Sequence, residues 1–463
     1  MKITFWGGVG EVTGSRHLIE TDKAKVMMDC GMFQGHRKES IDRNKNFPFP
    51  AKDLSAVLLS HAHIDHSGLL PTLPKNGYKG PIYCTPSTVE LCQIMLMDSA
   101  HLQEEDAKFF NKKNPGSNIT PLYGQEDARA CLEQFRPHEY LTDVPAAPGV
   151  TARFFNAGHV LGSAMIQADL ETPKGPIRVL FTGDLGRRQT LLLDPPHIPE
   201  NVDYLLIEST YGDRVHEGID HVEGQLKAFI TRAAQEKSKI IIPSFALERT
   251  QEIVFVIEKL LREKAIPMVP VYVDSPSAVN ISDVFNRHLN DFSFSPEFKA
   301  YVKSAGDPFG FQTIKYVRSV QESMSLNAMP GPMVIISASG MCEGGRVLHH
   351  LSNNLDKPNT TVLIVGYQAE GTLGRKLEDG AKMVLIHGQQ QKVNARVETM
   401  HTFSAHADRD DLIWFMKSLK PRPKTIFLVH GDPADRVALK AHLKDEGITS
   451  VACPEFGQSF ELL

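Results

Sequence analysis

The run His61-Ala-His63-Ile-Asp65-His66 places four metal-ligand side chains in six consecutive positions. Zinc takes imidazole and carboxylate ligands, and two histidines one residue apart can both turn toward one ion where a loop follows a strand. His61 and His63 have that spacing. Asp65 and His66 follow at once, aimed at a neighbouring site about 3.5 to 4 Å away, the separation of two-metal hydrolases. A lone histidine is usually a surface or satisfied core residue, but four ligand types packed behind a buried strand read as a metal centre.

The elements that must position these groups are short and rich in β-branched residues. Segments 56–59, 150–155, 177–181 and 204–207 read as strands. Each runs straight into a polar cluster: Ser60-His61, Asn156-Ala-Gly-His159, Thr182-Gly-Asp184 and Glu208-Ser-Thr210. Polar groups therefore collect past the carboxyl ends of strands, where layered α/β folds build their ligand sites. From about residue 220 the pattern changes to amphipathic helix alternating with buried strand. Segments 225–237, 247–264, 279–288 and 345–351 read as helices, and 240–242, 269–273, 333–336 and 362–365 as strands. That alternation predicts a doubly wound parallel sheet. After about residue 395 the first style returns, with 425–429 running into His430. The simplest organisation is one domain, 1–212 and 396–463, interrupted by a second at 213–395.

His-x-His-x-Asp-His after a strand resembles the defining motif of the metallo-β-lactamase superfamily. Gly158-His159-Val-Leu-Gly162 and Thr182-Gly-Asp184 resemble its later ligand motifs. Glu208-Ser-Thr-Tyr-Gly212, Phe403-Ser-Ala-His406-Ala-Asp408 and Leu428-Val-His430-Gly-Asp432 are similar to the three motifs of its β-CASP nucleases, as are stretches 243–251, 337–346 and 366–375. The match covers essentially the whole chain. It is closest to the group containing the endonuclease subunit of the cleavage and polyadenylation specificity factor and its prokaryotic relatives. The resemblance implies an α/β fold, a metallo-β-lactamase αββα sandwich interrupted by a doubly wound parallel-sheet β-CASP domain. It implies two zinc ions: His61, His63 and His159 on the first, Asp65, His66 and His430 on the second, and Asp184 bridging. A hydroxide held between them would attack phosphorus, His406 would protonate the leaving oxygen, and Glu208 would orient that imidazole. Histidine at position 430 is similar to the RNA-processing rather than the DNA-processing members. Glu248 departs from the glycine that many relatives carry in a Phe-Ala-x-Gly-Arg stretch.

The expected function is thus a zinc-dependent ribonuclease, an endonuclease of RNA processing by preference, because the chain ends soon after the last motif without a further domain. Single-stranded RNA is the expected partner. A homodimer is left open. Arg249, Arg346 and Arg375, with Ser244, Ser337 and Ser339, lie at strand-to-helix turns of the insertion and are candidates for gripping the RNA backbone. Ordinary surface arginines and helix-capping serines would look the same. His349 and His350 in a helix, and His216 and His221 in a loop, read as solvated. The run Gly7-Gly-Val-Gly10-Glu-Val-Thr-Gly14 fits neither dinucleotide nor P-loop spacing and reads as a tight turn lining the active site.

Composition limits the rivals. With 463 residues, 41% hydrophobic and 23% charged, the chain reads as a soluble protein of two domains. No apolar run approaches the roughly 18 residues of a membrane helix, and no secretory leader is visible, so a cytoplasmic location is expected. The six cysteines are scattered and read as reduced, buried residues. A net charge of −5 gives no global attraction to nucleic acid, so RNA would need a locally basic surface. A hydrolase of small esters, thioesters or lactones would need the same metal site, but neither the insertion nor the Glu208 and His406 pair. A non-catalytic scaffold would not keep every ligand.

Overall fold

Short runs of alternating side chains become strands because one face of each can be buried. A computed structural model describes residues 1–34, 38–369 and 371–463, so Glu370 of the 366–375 motif lies outside the described residues. The chain divides into two units, Met1–Val215 with Asp291–Ser293 and His406–Leu463, and His216–Asn290 with Phe294–Ala405.

The first unit is built on two seven-stranded sheets. One runs, in spatial order, Ser459–Glu461, Lys2–Gly7, Arg16–Glu20, Lys25–Met28, Ala56–Leu58, Ile82–Cys84 and Phe135–Pro137. The other runs Val451–Ala452, Thr425–Val429, Tyr204–Glu208, Ile177–Phe181, Ala164–Leu170, Val150–Asn156 and Asp143–Ala147. Both are mixed: Lys25–Met28 through Phe135–Pro137 pair in parallel, as do Ile177–Phe181, Tyr204–Glu208 and Thr425–Val429. Their facing side chains, among them Ile3, Phe5, Val26, Leu58, Phe154, Ile166, Phe181, Leu206 and Phe427, form one core. The opposite face of the second sheet buries Leu180, Leu205, Ile207 and Leu428 against Leu412, Phe415, Leu439 and Leu443 of helices Arg409–Ser418 and Pro433–Asp445. The parallel strands all end at one edge, and the turns after Ala56–Leu58, Ile177–Phe181, Tyr204–Glu208 and Thr425–Val429 carry His61, Asp184, Thr210 and His430.

The second unit has a six-stranded sheet in the order Lys315–Tyr316, Val271–Val273, Met333–Ser337, Lys239–Pro243, Thr360–Val365 and Arg396–Met400, every pairing parallel. Parallel strands need helical crossovers, and Arg249–Arg262, Pro276–Arg287 and Arg346–Asn354 supply them. The edge strand Arg396–Met400 lies past the expected boundary at 395. It is half-exposed and polar, so a search for buried apolar runs passes over it. Five of the six cysteines are buried, Cys453 is half-buried, and all are free. Among the described residues no helix is long and apolar enough to cross a membrane.

Candidate active site

His61 and His63 lie on the turn that ends Ala56–Leu58, and Asp65 and His66 on the single-turn helix Ile64–Ser67 that follows. The turn is clamped from several sides. Ser15 N–H donates to Asp65 O (2.9 Å), Cys30 N–H to His66 O (2.8 Å) and Met32 N–H to Ile64 O (3.0 Å). Chain 31 passes so close that a Cβ on Gly31 would lie 1.6 Å from Asp65 O. Gly183 sets the neighbouring turn: its φ is +55°, and a Cβ there would meet Ser60 Cβ at 2.7 Å. His430 itself sits at φ +45°, a left-handed conformation that non-glycine residues adopt at a cost. Its N–H donates to Gly8 O (2.6 Å) and its carbonyl accepts from Ser209 N–H (3.0 Å), so the glycine-rich run at 7–14 does line the site.

These turns bring together two cages that share one carboxylate. His61, His63, His159 and Asp184 form the first; Asp65, His66, His430 and Asp184 form the second. In the first, His63 Nδ1 lies 3.1 Å from His61 Nε2 and 3.3 Å from His159 Nε2. Asp184 Oδ2 is 3.5 Å from both His61 Nε2 and His159 Nε2. Ligand bonds of 2.0–2.1 Å in a tetrahedron require donor atoms about 3.3–3.4 Å apart, so the observed edges fit a zinc-sized ion. In the second cage His66 Nε2 is 3.0 Å from Asp184 Oδ1 and 3.4 Å from His430 Nε2, which is 3.4 Å from Asp65 Oδ2. Asp184 is buried, and the imidazole nitrogens of His66 and His430 stand 3.0 and 3.1 Å from its Oδ1. A buried carboxylate needs positive charge beside it, supplied by protonated imidazole or by a cation that takes the proton's place. The donor set therefore fits two divalent cations.

In the first cage the protonation states agree. In the second, burial lowers His66, but Asp184 and Asp29 outweigh it and hold that ring well above its ordinary value, so it carries a proton that an arriving cation would displace. Burial, followed by the neighbouring imidazole of His66, pushes His61 well below its ordinary value, and burial brings His63 down to about 4. Both rings are thus neutral, the form that binds metal. Burial works against ionised Asp184, but His430 and His66 outweigh it and hold the carboxyl well below its usual range.

Sequence reasoning passed over Asp29. It is fully buried, with one oxygen 2.6 Å from His66 Nδ1, a separation at which the ring N–H can donate to the carboxylate. Ser60 N–H and Oγ–H complete the carboxylate at 2.7 and 2.8 Å. With Nδ1 protonated, the His66 lone pair is fixed on Nε2, toward the cage. The available signal was a carboxylate at the end of the strand next to the one that feeds the histidine motif.

Beside the cages, His406 Nδ1 is 3.0 Å from Glu208 Oε2, and its ring packs 4.5 Å from that of His159. Glu208 is fully buried and also accepts from Leu185 N–H and Thr210 Oγ–H. Its oxygens are thereby filled, so it orients a histidine rather than ligating metal. Burial pulls the His406 imidazole down, but Glu208, then Asp184 and Asp65, more than reverse this and raise it to about 9. The side chain is 24% exposed, leaving Nε2 as the nitrogen free of Glu208.

In the second unit the candidate RNA contacts lie at the carboxyl ends of three adjacent strands, Met333–Ser337, Lys239–Pro243 and Thr360–Val365. Most are engaged internally. Arg249 is buried and pairs with Glu252 at 2.8 Å. Arg346 pairs with buried Asp274 at 2.6 Å and donates to Val317 O and Arg318 O. Ser244 accepts from Thr250 Oγ–H (3.1 Å), Ser337 Oγ–H donates to Asp274 O (2.7 Å), and Ser339 Oγ accepts from Glu343 N–H (3.1 Å). Arg375 is half exposed and pairs with Asp379 at 2.9 Å. His350, expected to be solvated, is fully buried between Asp274 Oδ2 (2.7 Å) and Asn327 Oδ1 (3.0 Å). A histidine reads as polar in any periodicity, so a buried one escapes a pattern search.

Three family descriptions match this chain: "Metallo-beta-lactamase superfamily" over residues 9–161, "Beta-Casp domain" over 250–377, and "Zn-dependent metallo-hydrolase RNA specificity domain" over 390–454. Ribonuclease TTHA0252 of Thermus thermophilus is 36% identical over 99% of both chains. The chain belongs to the β-CASP group of the metallo-β-lactamase superfamily. Other β-CASP relatives include the transcription termination factor FttA of Methanosarcina mazei, 32% identical over 93% of this chain and 67% of its own. An RNase J-like protein of Methanocaldococcus jannaschii is 33% identical over 93% and 92%. The overall fold is also similar to that in a crystal structure of a protein of unknown function from Enterococcus faecalis, with a TM-score of 0.55 at 14% identity, covering 100% of this chain and 99% of that one.

Proposed function

We propose that this β-CASP protein is a metal-dependent ribonuclease that hydrolyses RNA phosphodiester bonds at internal positions, with two zinc ions as its cofactors. The observation that carries this reading is a pair of cages joined through Asp184, with a carboxylate-held histidine beside them. Its relatives named as ribonucleases support RNA as the substrate.

His61, His63 and His159 would hold one ion, Asp65, His66 and His430 the other, with Asp184 common to both. When bound, such a pair makes water nucleophilic near neutral pH and neutralises charge on the phosphate. The chain's own residues supply the rest. Glu208 fixes the imidazole of His406 through Nδ1 and favours its charged form, so that Nε2–H can be given to the departing sugar oxygen. Asp29 and Ser60 hold His66 in one tautomer and one orientation. Ser244, Arg249, Ser337, Arg346 and Arg375 remain candidates for contacting the RNA backbone, with Arg375 the most exposed of these three arginines.

RNA labelled at either end, with a 5′-monophosphate or triphosphate, tests the reading in one gel with a chelator control. Internal fragments are expected. Single nucleotides released from the 5′ end would replace internal cutting by exonuclease action. Hydrolysis of a thioester or lactone with no RNA cleavage would overturn the ribonuclease reading.

A further inference from the structure

The helix Pro86–Lys113 starts at the site and ends far from it. At its first turn Thr85 and Thr88 hydroxyls donate to Gly162 O (2.6 and 2.9 Å), on the loop that carries His159. From Pro86 to Phe109 it advances about 35 Å at 1.5 Å per residue. Leu91, Cys92, Leu96, Ala100 and Ala107 bury one side of it, and beyond Ala107 burial stops.

The protruding end is aromatic and closes on lysines. Phe109 is 60% and Phe110 45% exposed, flanked by Leu102 at 52% and Ile119 at 45%. The two rings meet edge to face, 5.7 Å between centroids, and Lys113 Nζ sits 6.0 Å from the centre of Phe109. Past the acidic turn Glu104-Glu105-Asp106, residues 107 to 124 hold three lysines, Lys108, Lys112 and Lys113, and no Asp or Glu. Lys108 is paired with Glu105 at 2.8 Å. The end is also braced: Asn111 accepts from Ile119 N–H and Ser117 Oγ–H and donates to Ile119 O, all at 2.8–2.9 Å. Large apolar side chains exposed together are candidate binding surfaces. Rigid aromatic faces among lysines are what single-stranded nucleic acid uses, because every base can stack and every phosphate seeks a cation.

We infer that Phe109 and Phe110, with Lys112 and Lys113, form an accessory anchor for single-stranded RNA, distant from the metal cages, that holds long substrates. The inference rests on the ribonuclease reading. At about 3.4 Å per stacked nucleotide, RNA must extend roughly 10 nucleotides from the cut to reach the rings, so the anchor acts on long RNA only.

Fluorescence anisotropy with labelled oligouridylates of 40 and 8 nucleotides, in chelator to keep them intact, tests it on the full chain. The double variant Phe109→Ala with Phe110→Ala is expected to bind the 40-mer about tenfold more weakly per ring. Lys112→Glu with Lys113→Glu should reduce the slope of log affinity against log salt by about 1.4. The metal-loaded variants should cleave the 8-mer as the parent does. Unchanged affinity for the 40-mer in both variants would overturn the anchor, as would an equal loss of 8-mer and 40-mer cleavage by the metal-loaded variants. Sedimentation that shifts from dimer to monomer without a change in RNA affinity would make the patch a self-association face instead. A metal-loaded parent protein that cleaves neither RNA would remove the ribonuclease reading, and the anchor with it.

Discussion

His406 Nδ1 lies 3.0 Å from Glu208 Oε2, and Glu208 is held in turn by Leu185 N–H and Thr210 Oγ–H. One ring nitrogen is therefore held by Glu208, and the other is the one that the proposed mechanism asks to give up a proton.

Replacing His406 by Ala should lower RNA cleavage about 10²- to 10⁴-fold while metal content stays at the level of the parent. A phosphodiester with a p-nitrophenolate leaving group needs no proton, so the same variant should lose far less on it. Equal losses on RNA and on the activated ester, measured as kcat/KM, would assign His406 to binding rather than proton transfer.

Asp29 fixes His66 through a 2.6 Å contact. Partners of this kind are worth about 10- to 100-fold in metal affinity. Asp29→Asn should weaken zinc binding by that factor in competition with a chromogenic chelator, with His61, His63 and His159 still able to hold the first ion. Unaltered binding would show that the Asp29 carboxylate does not support the second cage.

Arg346 separates a substrate contact from a structural tie. Its guanidinium pairs with fully buried Asp274, which also accepts from His350 Nε2 and Ser323 Oγ–H. Removing one partner of a buried charge pair costs about 3–5 kcal/mol, so Arg346→Ala should lower the melting temperature markedly. An intact melting temperature with weakened RNA binding would instead place Arg346 on the substrate.

The fold shows how far residue patterns reach. His61, His63, Asp65 and His66 were legible because four ligands share one turn, and the strands feeding the site because their apolar runs are continuous. Asp29 was not, because its partner lies 37 residues away and only the pairing of Lys25–Met28 with Ala56–Leu58 brings the two together. His350 and the edge strand Arg396–Met400 were missed for a different reason: both are polar sequences whose burial or pairing is decided by tertiary neighbours.

A carboxyl pair predicts a pH effect on stability. Burial, then a shared hydrogen bond and charge with Asp213, pushes Asp435 from 3.8 up to about 7. A carboxyl raised on folding stabilises fully below its unfolded value, and that contribution is lost as pH rises through the folded one. Asp435→Asn, which never ionises, should therefore gain melting temperature relative to the parent between pH 5 and pH 8. Parallel pH profiles for the two proteins would rule out the shared proton.

The most direct test of the shared-carboxylate centre is a zinc titration of chelator-stripped protein, followed by cleavage of end-labelled RNA. Activity should be absent without metal and should return over about two equivalents per chain, with Asp184→Ala recovering none. RNA cleavage that persists after complete stripping, or that returns in full in Asp184→Ala, would contradict the account.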